Sequence, residues 1–350
     1  MQKLPIKISL DDSFFEPEEL CGHYVTRQSK QHWAVILDLM VEFDRVCKEH
    51  GITYFLDSGT LLGAVRHNGF IPWDDDADMI MSRSEYEKLC AIAPTAFKEP
   101  YFWQTNETDP GSLRRHGQLR NSLTSCILKA ETRNGKANYR FNQGIFLDVF
   151  ILDEVPDDAE ELARFRKELR QQLRLLFELK DWYRIYHGEP WIEKIQKIAY
   201  DKFEATVSRY NGTGQKRIAN ISLLPETKEK EFFIKSLYDD CVDYTFEGFS
   251  FSGPKEYDAL LSGQYGDWHQ FVKGTGWHDV LIMDCYRPYT EYFEEPTNSA
   301  EEESTIAFFE KKTAKLKKQK RFYKKWTITL AVVSAIAVIA LICSLCTSLL

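Results

Sequence analysis

The run Ile52-Thr53-Tyr54-Phe55-Leu56-Asp57-Ser58-Gly59-Thr60-Leu61-Leu62-Gly63-Ala64-Val65-Arg66-His67-Asn68-Gly69-Phe70-Ile71-Pro72-Trp73-Asp74-Asp75-Asp76-Ala77-Asp78-Met79-Ile80-Met81 decides how the chain is read. It contains an apolar strand, a small-residue turn, a short helix, a loop, and a carboxylate cluster that enters a second, alternating strand. Side chains repeat every second residue on a strand, so Asp76 and Asp78 point to one face. Two such charges roughly 4 Å apart repel by about 4 kcal/mol at an effective dielectric near 20. Either one carboxylate keeps a proton or a cation sits between them. A cation is the expectation.

Working outward, Asp57-Ser58-Gly59-Thr60 joins a strand to a helix start. Free backbone N–H groups and the positive end of a helix dipole suit a phosphate there, though simple helix capping explains the same residues. Arg66 and His67 are polar residues of the loop that follows, and Arg66 can hold a phosphate or stay a solvated cation. Farther along, Asp148 lies inside the apolar string Ile145-Phe146-Leu147 and Val149-Phe150-Ile151. A mid-strand carboxylate is costly unless paired, protonated or metal-bound. A third carboxylate facing Asp76 and Asp78 is preferred here over a buried salt bridge. Asp153 and Glu154 fall at the expected strand end, where charge needs no special role. Arg120, Asn121 and Thr124 lie on short strands over 119–129, available to a site. Ser82-Arg83-Ser84-Glu85 reads as a capping box for a helix to about Phe97.

Elsewhere the pattern is structural. Residues 1–30 form an irregular arm, and 31–50 a helix closed by Gly51. Leu162, Phe165, Leu169, Leu173 and Leu176 start a helical insertion over about 157–210. Trp268, His269, Trp277 and His278 can line a sugar or choline pocket, or form an ordinary aromatic surface.

The net charge of −8 over 350 residues hides a split. Nine Lys and Arg residues crowd 311–325, leaving about −17 for the rest, which argues against nucleic-acid binding by the folded part. The 8 cysteines fall at irregular spacings, which points to free thiols in a reducing compartment. Met1 to Asp11 lacks the apolar core of a signal peptide. Residues 294–325 read as an acidic linker and a basic juxtamembrane segment. Residues 326–350 read as a transmembrane helix, whose uncharged part, Ile328 to Leu350, spans about 34 Å. The positive-inside rule then places the catalytic domain of a single-pass membrane protein in the cytoplasm.

Phe55–Gly63 with Ala64 to Asp78 resembles the signature of the LicD family of phosphotransferases, shared more distantly by fukutin and fukutin-related protein. Gly144 to Asp153 is similar to that family's second block, and Tyr265-Gly266-Asp267-Trp268 to its C-terminal block. The likeness covers about residues 25–290. It implies an α+β fold, a nucleotidyltransferase-like mixed sheet with surrounding helices, and a catalytic domain over 31–293. It further implies transfer of a phosphorylated alcohol, phosphocholine or a polyol phosphate, from a CDP-activated donor to a sugar hydroxyl of a cell-surface glycan or its lipid-linked precursor. On this reading Asp76, Asp78 and Asp148 are catalytic residues and ligands of Mg²⁺ or Mn²⁺. Asp74 supports them. Ser58, Gly59, Thr60, Arg66, His67 and Arg120 contact substrate. The alternative is a nucleotide-sugar glycosyltransferase that uses the same Asp-x-Asp cluster.

Overall fold

In the computed structural model, which describes residues 3–132, 139–186, 190–221, 232–272 and 278–293, the chain opens with a small hairpin, β1 (Glu18–Leu20) and β2 (His23–Val25). Helix α1 (Arg27–Glu49), strand β3 (Phe55–Leu56), helix α2 (Ser58–His67), strand β4 (Asp78–Ser82) and helix α3 (Arg83–Ala96) follow. Next come β5 (Tyr101–Gln104), β6 (Gly117–Asn121), β7 (Ser125–Leu128) and the long β8 (Ile145–Val155). Helices α4 (Ala159–Tyr186) and α5 (Pro190–Val207) precede β9 (Arg217–Asn220) and β10 (Phe232–Ile234). The hairpin β11 (Cys241–Phe246) and β12 (Phe249–Pro254), helix α6 (Tyr257–Tyr265) and β13 (Val280–Asp284) complete the described elements. Residues 295–350 belong to a separate unit that lies outside the described residues.

The centre is a mixed seven-stranded sheet, as expected for the α+β class, running β10-β9-β8-β4-β3 with β6 also on β8 and β5 on β6. Strands β4 and β8 are parallel, with Asp78 opposite Asp148, Ile80 opposite Phe150 and Ser82 opposite Leu152. The intervening Met79, Met81, Val149 and Ile151 face the other way, into the core packed under α1. Alternation therefore sends Asp78 and Asp148 to one face together. Their strand neighbours stay dry on the opposite face.

Thr26 caps α1 by accepting from Ser29 N at 3.1 Å, so the helix starts four residues before the domain boundary expected at 31. Its buried stripe includes Trp33, Ile36, Leu37, Met40 and Phe43. The N-terminal arm lies over the domain through backbone contacts. Lys7 N and Ile8 N donate to the buried Asp38 Oδ1 at 2.7 and 3.0 Å, and Asn121 Nδ2 donates to Pro5 O at 2.7 Å. Helices α4 and α5 form a satellite core around Phe165, Leu169, Ile192 and Phe203.

Several expectations need correcting. Strand β8 does not stop at Leu152. It continues to Val155, and Asp153, paired with Ala219 in register, is fully buried. Arg83 holds both of its oxygens, at 2.9 and 2.7 Å, and Asn211 Nδ2 adds a bond of 2.6 Å. Ser82 caps α3, but Glu85 does not close the reciprocal bond, because its Oε2 accepts from Thr53 N at 3.1 Å. Among the described residues no helix is long and apolar enough to cross a membrane. Helices α1 and α4 have the length, yet both carry many charged side chains. The expected single-pass placement with a cytoplasmic catalytic domain is corrected accordingly. The segments that prompted it, 294–325 and 326–350, lie outside the described residues.

Candidate active site

Helix α2 points its N-terminus into a cleft of about 420 Å³ whose floor includes Ser58, Gly59, Asp74, Asp76 and Asp78. Local chemistry builds this corner. Asp57 N donates to Asp78 O at 3.1 Å, and Asp78 N donates to Thr60 Oγ1 at 2.8 Å, so the first turn of α2 is tied to the start of β4. Ser58 sits at φ +47°, a left-handed conformation that a non-glycine residue adopts only where its surroundings enforce it. A Cβ on Gly59 would lie 2.8 Å from Asp74 Oδ2, so the missing side chain lets that carboxylate approach the helix start. Trp33 Nε1 fixes the Asp74 backbone through a 2.9 Å bond to its carbonyl.

The acids converge. Burial first, and then the charge of Asp74, pushes Asp76 well above the usual carboxylate range, with Asp148 and Asp75 adding to the effect and His278 opposing it. Asp78 rises for the same reasons, burial leading, followed by Asp76, Asp148, Asp57 and Asp74. Burial also lifts Asp74, to about 6. Asp148 goes the other way. Burial opposes its ionisation, but the neighbouring His116 charge and hydrogen bond, Arg114 and Gln118 together bring it down to about 2. His116 Nε2 lies 2.8 Å from Asp148 Oδ1, and Gln118 Nε2 donates to that same oxygen at 2.6 Å.

A further pair closes one side. His278 Nδ1 is 3.1 Å from Asp75 Oδ1 and 3.7 Å from Asp76 Oδ2, and the Asp75 hydrogen bond, against burial, raises His278 to about 9. Asp75, Asp76 and His278 are also the group of three whose candidate ligand atoms lie within 4.8 Å of one another among the described residues. The expected trio of Asp76, Asp78 and Asp148 is not such a group: Asp78 and Asp148 are neighbours in register and the charges of all three act on one another, but Asp148 does not line the cleft and gives one oxygen to His116 and Gln118. All these groups offer hard oxygen donors except His278, a set that suits Mg²⁺ or Mn²⁺.

The remaining expected contacts divide. Ser58, Gly59 and Asp74 line the cleft. Thr60 does not reach a ligand, because it is buried under the Asp78 amide. Arg66 lines the cleft but spends one nitrogen on Trp268 O and Gln270 O, at 2.8 and 3.2 Å, and stacks its guanidinium 4.7 Å from the Phe271 ring. It clamps the 268–271 loop over the cleft. His67 accepts from Arg66 Nε at 3.0 Å and, lowered to about 4 by burial and that neighbour, stays neutral. It is not part of the cleft lining.

Arg120 is fully buried, donating to Gln104 Oε1 and Gly144 O at 2.6 Å each and to Gln118 Oε1. It orients Gln118, which in turn holds Asp148, and touches no ligand space. Asn121 and Thr124 are likewise buried. Of the aromatic group, Trp268 borders the cleft and Trp277 lies outside the described residues. His116, Gln118, Asp57 and the Asp75–His278 pair were not singled out from the sequence as parts of the acidic site. The only signal for Gln118 was a polar residue beside a short apolar strand, and His116 sat in a loop read as merely polar.

Comparison with known proteins agrees with this geometry. The model of the LicD/FKTN/FKRP nucleotidyltransferase domain matches residues 51–143, which contain the helix start and the acidic cluster. The lipopolysaccharide cholinephosphotransferase LicD of Haemophilus influenzae is similar at 26% identity over 265 residues, covering 73% of this chain and 97% of that protein. Short stretches are also similar to uncharacterised proteins of Rickettsia prowazekii, 41% identical over 59 residues, and Rickettsia typhi, 43% over 60, each covering 17% of this chain and 22% and 19% of those proteins. With its acidic cleft and helix start, the chain is similar to LicD over most of its length, and its residues 51–143 match the LicD/FKTN/FKRP nucleotidyltransferase domain.

Proposed function

We propose that the chain transfers a phosphorylated alcohol, phosphocholine or a polyol phosphate, from a CDP-activated donor to a sugar hydroxyl of a cell-surface glycan or its lipid-linked precursor. The observation that carries this reading is the grouping of Asp74, Asp76 and Asp78 in one cleft beside the N-terminus of α2, with Asp148 in register with Asp78. Burial, and then the charge of their neighbours, makes Asp76 and Asp78 resist ionisation, which calls for a cation, and the helix start calls for an anion. A metal-bound diphosphate supplies both. The similarity to a lipopolysaccharide cholinephosphotransferase of Haemophilus influenzae favours choline among the alcohols.

In this reading Asp76 and Asp78 hold Mg²⁺ or Mn²⁺, with Asp74 in support. The ion supplies neutralisation of the donor's phosphate oxygens and of the charge that develops on the leaving CMP. Backbone N–H groups at Ser58 and Gly59 orient the donor phosphates. The acceptor oxygen forms a bond to the phosphorus bearing the alcohol, and the bond from that phosphorus to the bridging oxygen of CMP breaks. Asp148, kept ionised by His116 and Gln118, takes the hydroxyl proton. Arg66 holds the 268–271 loop across the cleft and limits water entry.

Donor preference tests the proposal. With Mg²⁺ present, CDP-choline, CDP-ribitol, CDP-glycerol and UDP-sugars are offered in turn. Release of CMP from one CDP-alcohol is the expected result; release of UDP with no CMP overturns it and favours the glycosyltransferase.

A further inference from the structure

A second cavity, of about 100 Å³, lies between the loop preceding β6 and helix α4, and it shares no lining residue with the acidic cleft. Ser112, Arg114, His116 and Lys180 supply its polar wall, and Leu173 and Leu176 part of the apolar one. No carboxylate is among its described lining residues. Ser112 is 1% exposed, yet its Oγ has no hydrogen-bond partner, and neither Arg114 Nε nor His116 Nδ1 has one. Buried polar atoms are almost always paired, so three unpaired ones on residues that line one cavity point to a place for a polar ligand. The charge has the right sign for an anion. Arg114 and Lys180 share a single carboxylate, Glu131, which lies behind them, and Arg115 adds a further cation to the wall. The volume corresponds to roughly three waters of liquid, room for one phosphoryl group and not for a nucleoside.

We propose that this cavity is a phosphoryl-group subsite built by the 112–116 loop against the helical insertion. His116 joins it to the acidic cleft, since the ring lines the cavity while its Nε2 meets Asp148. The source of the phosphoryl group rests on the transferase reading: a sugar phosphate belonging to the acceptor would be anchored one imidazole away from Asp148. Free phosphate carries the same chemistry, and the test separates the two.

Calorimetric titration with inorganic phosphate and with glucose 6-phosphate, against glucose and chloride as controls and with EDTA present, measures the site without turnover. Saturable binding of either phosphate is expected. Ser112→Ala, a small change that removes only a hydroxyl without a partner, weakens it about tenfold, and Arg114→Gln weakens it further. Asp76→Asn leaves it unchanged. Tighter binding of glucose 6-phosphate supports the acceptor as source, and binding of phosphate alone supports the free ion. Absence of saturable binding overturns the proposal. So does binding that Ser112→Ala and Arg114→Gln leave unaltered, which means an adventitious ion only. Failure of every CDP-alcohol as donor leaves this result standing, so the two readings fail separately.

Discussion

The paired strands β4 and β8 carry acids where their pairing begins, β8 carries more acids where it ends, and the two places treat them oppositely. At the start, Asp78 and Asp148 face each other in register, with Asp76 and Asp74 nearby, and among the described residues no arginine or lysine bonds any of the four. At the far end, Asp153 is fully buried and gripped by Arg83, which also holds Glu204 at 2.5 Å. The far end is a closed structural ion pair, neutralised from within the chain. At the near end His116 and His278 offset only part of the negative charge, Asp76 and Asp78 stay raised, and this contrast separates a site from a brace.

The contrast can be broken by mutation. Asp76→Asn is expected to reduce CMP release about a thousandfold or more, equivalent to about 4 kcal/mol of barrier. The melting temperature should not fall, because the change relieves repulsion. A drop in stability with activity intact would reverse the roles assigned to the two ends. Arg83→Met should do the opposite, costing about 3–5 kcal/mol in urea unfolding by stranding Asp153, with little effect on turnover of the molecules that remain folded.

Two smaller effects sharpen the comparison. Adding Mg²⁺ to EDTA-treated protein at a hundred times its Kd should stabilise it by about 2.7 kcal/mol, seen as a rise in melting temperature that Asp76→Asn abolishes and Arg83→Met retains. The pH response follows from the raised acids. Asp74 goes from 3.8 in the unfolded chain to about 6 in the fold. Its contribution is therefore complete below about pH 4 and is lost as pH climbs through 6, at no more than about 1.4 kcal/mol per unit and less where solvent in the cleft screens it. Asp76 and Asp78 add in the same direction. Unfolding curves between pH 4 and 7 should show this slope with EDTA and a flatter one with Mg²⁺.

The acidic half of the site was readable from the chain because it is local: Gly59, Asp74, Asp76 and Asp78 lie within twenty residues of one another. Asp148 was found by a different logic, a charge where burial forbids one. What escaped depends on pairing across the sheet. In β6 Gln118 and Arg120 alternate with Leu119 and share a face, but a polar face reads as solvated, so nothing local told that it is buried and that Gln118 lies opposite Asp148. Asp153 was misjudged because the end of β8 was set by its hydrophobic run, whereas the strand continues as far as β9 provides a partner. Thr60 was assigned to a ligand because a hydroxyl at a helix start serves either purpose. The Asp78 amide decides between them.

The most direct test of the central claim is anomalous diffraction from crystals soaked in Mn²⁺. The account predicts a peak in the cleft within about 2.2 Å of carboxylate oxygens of both Asp76 and Asp78, hard oxygen ligands at the usual distance for a small divalent ion. A peak held by Asp75 and His278 without Asp78, or an empty cleft at saturating Mn²⁺, would contradict it.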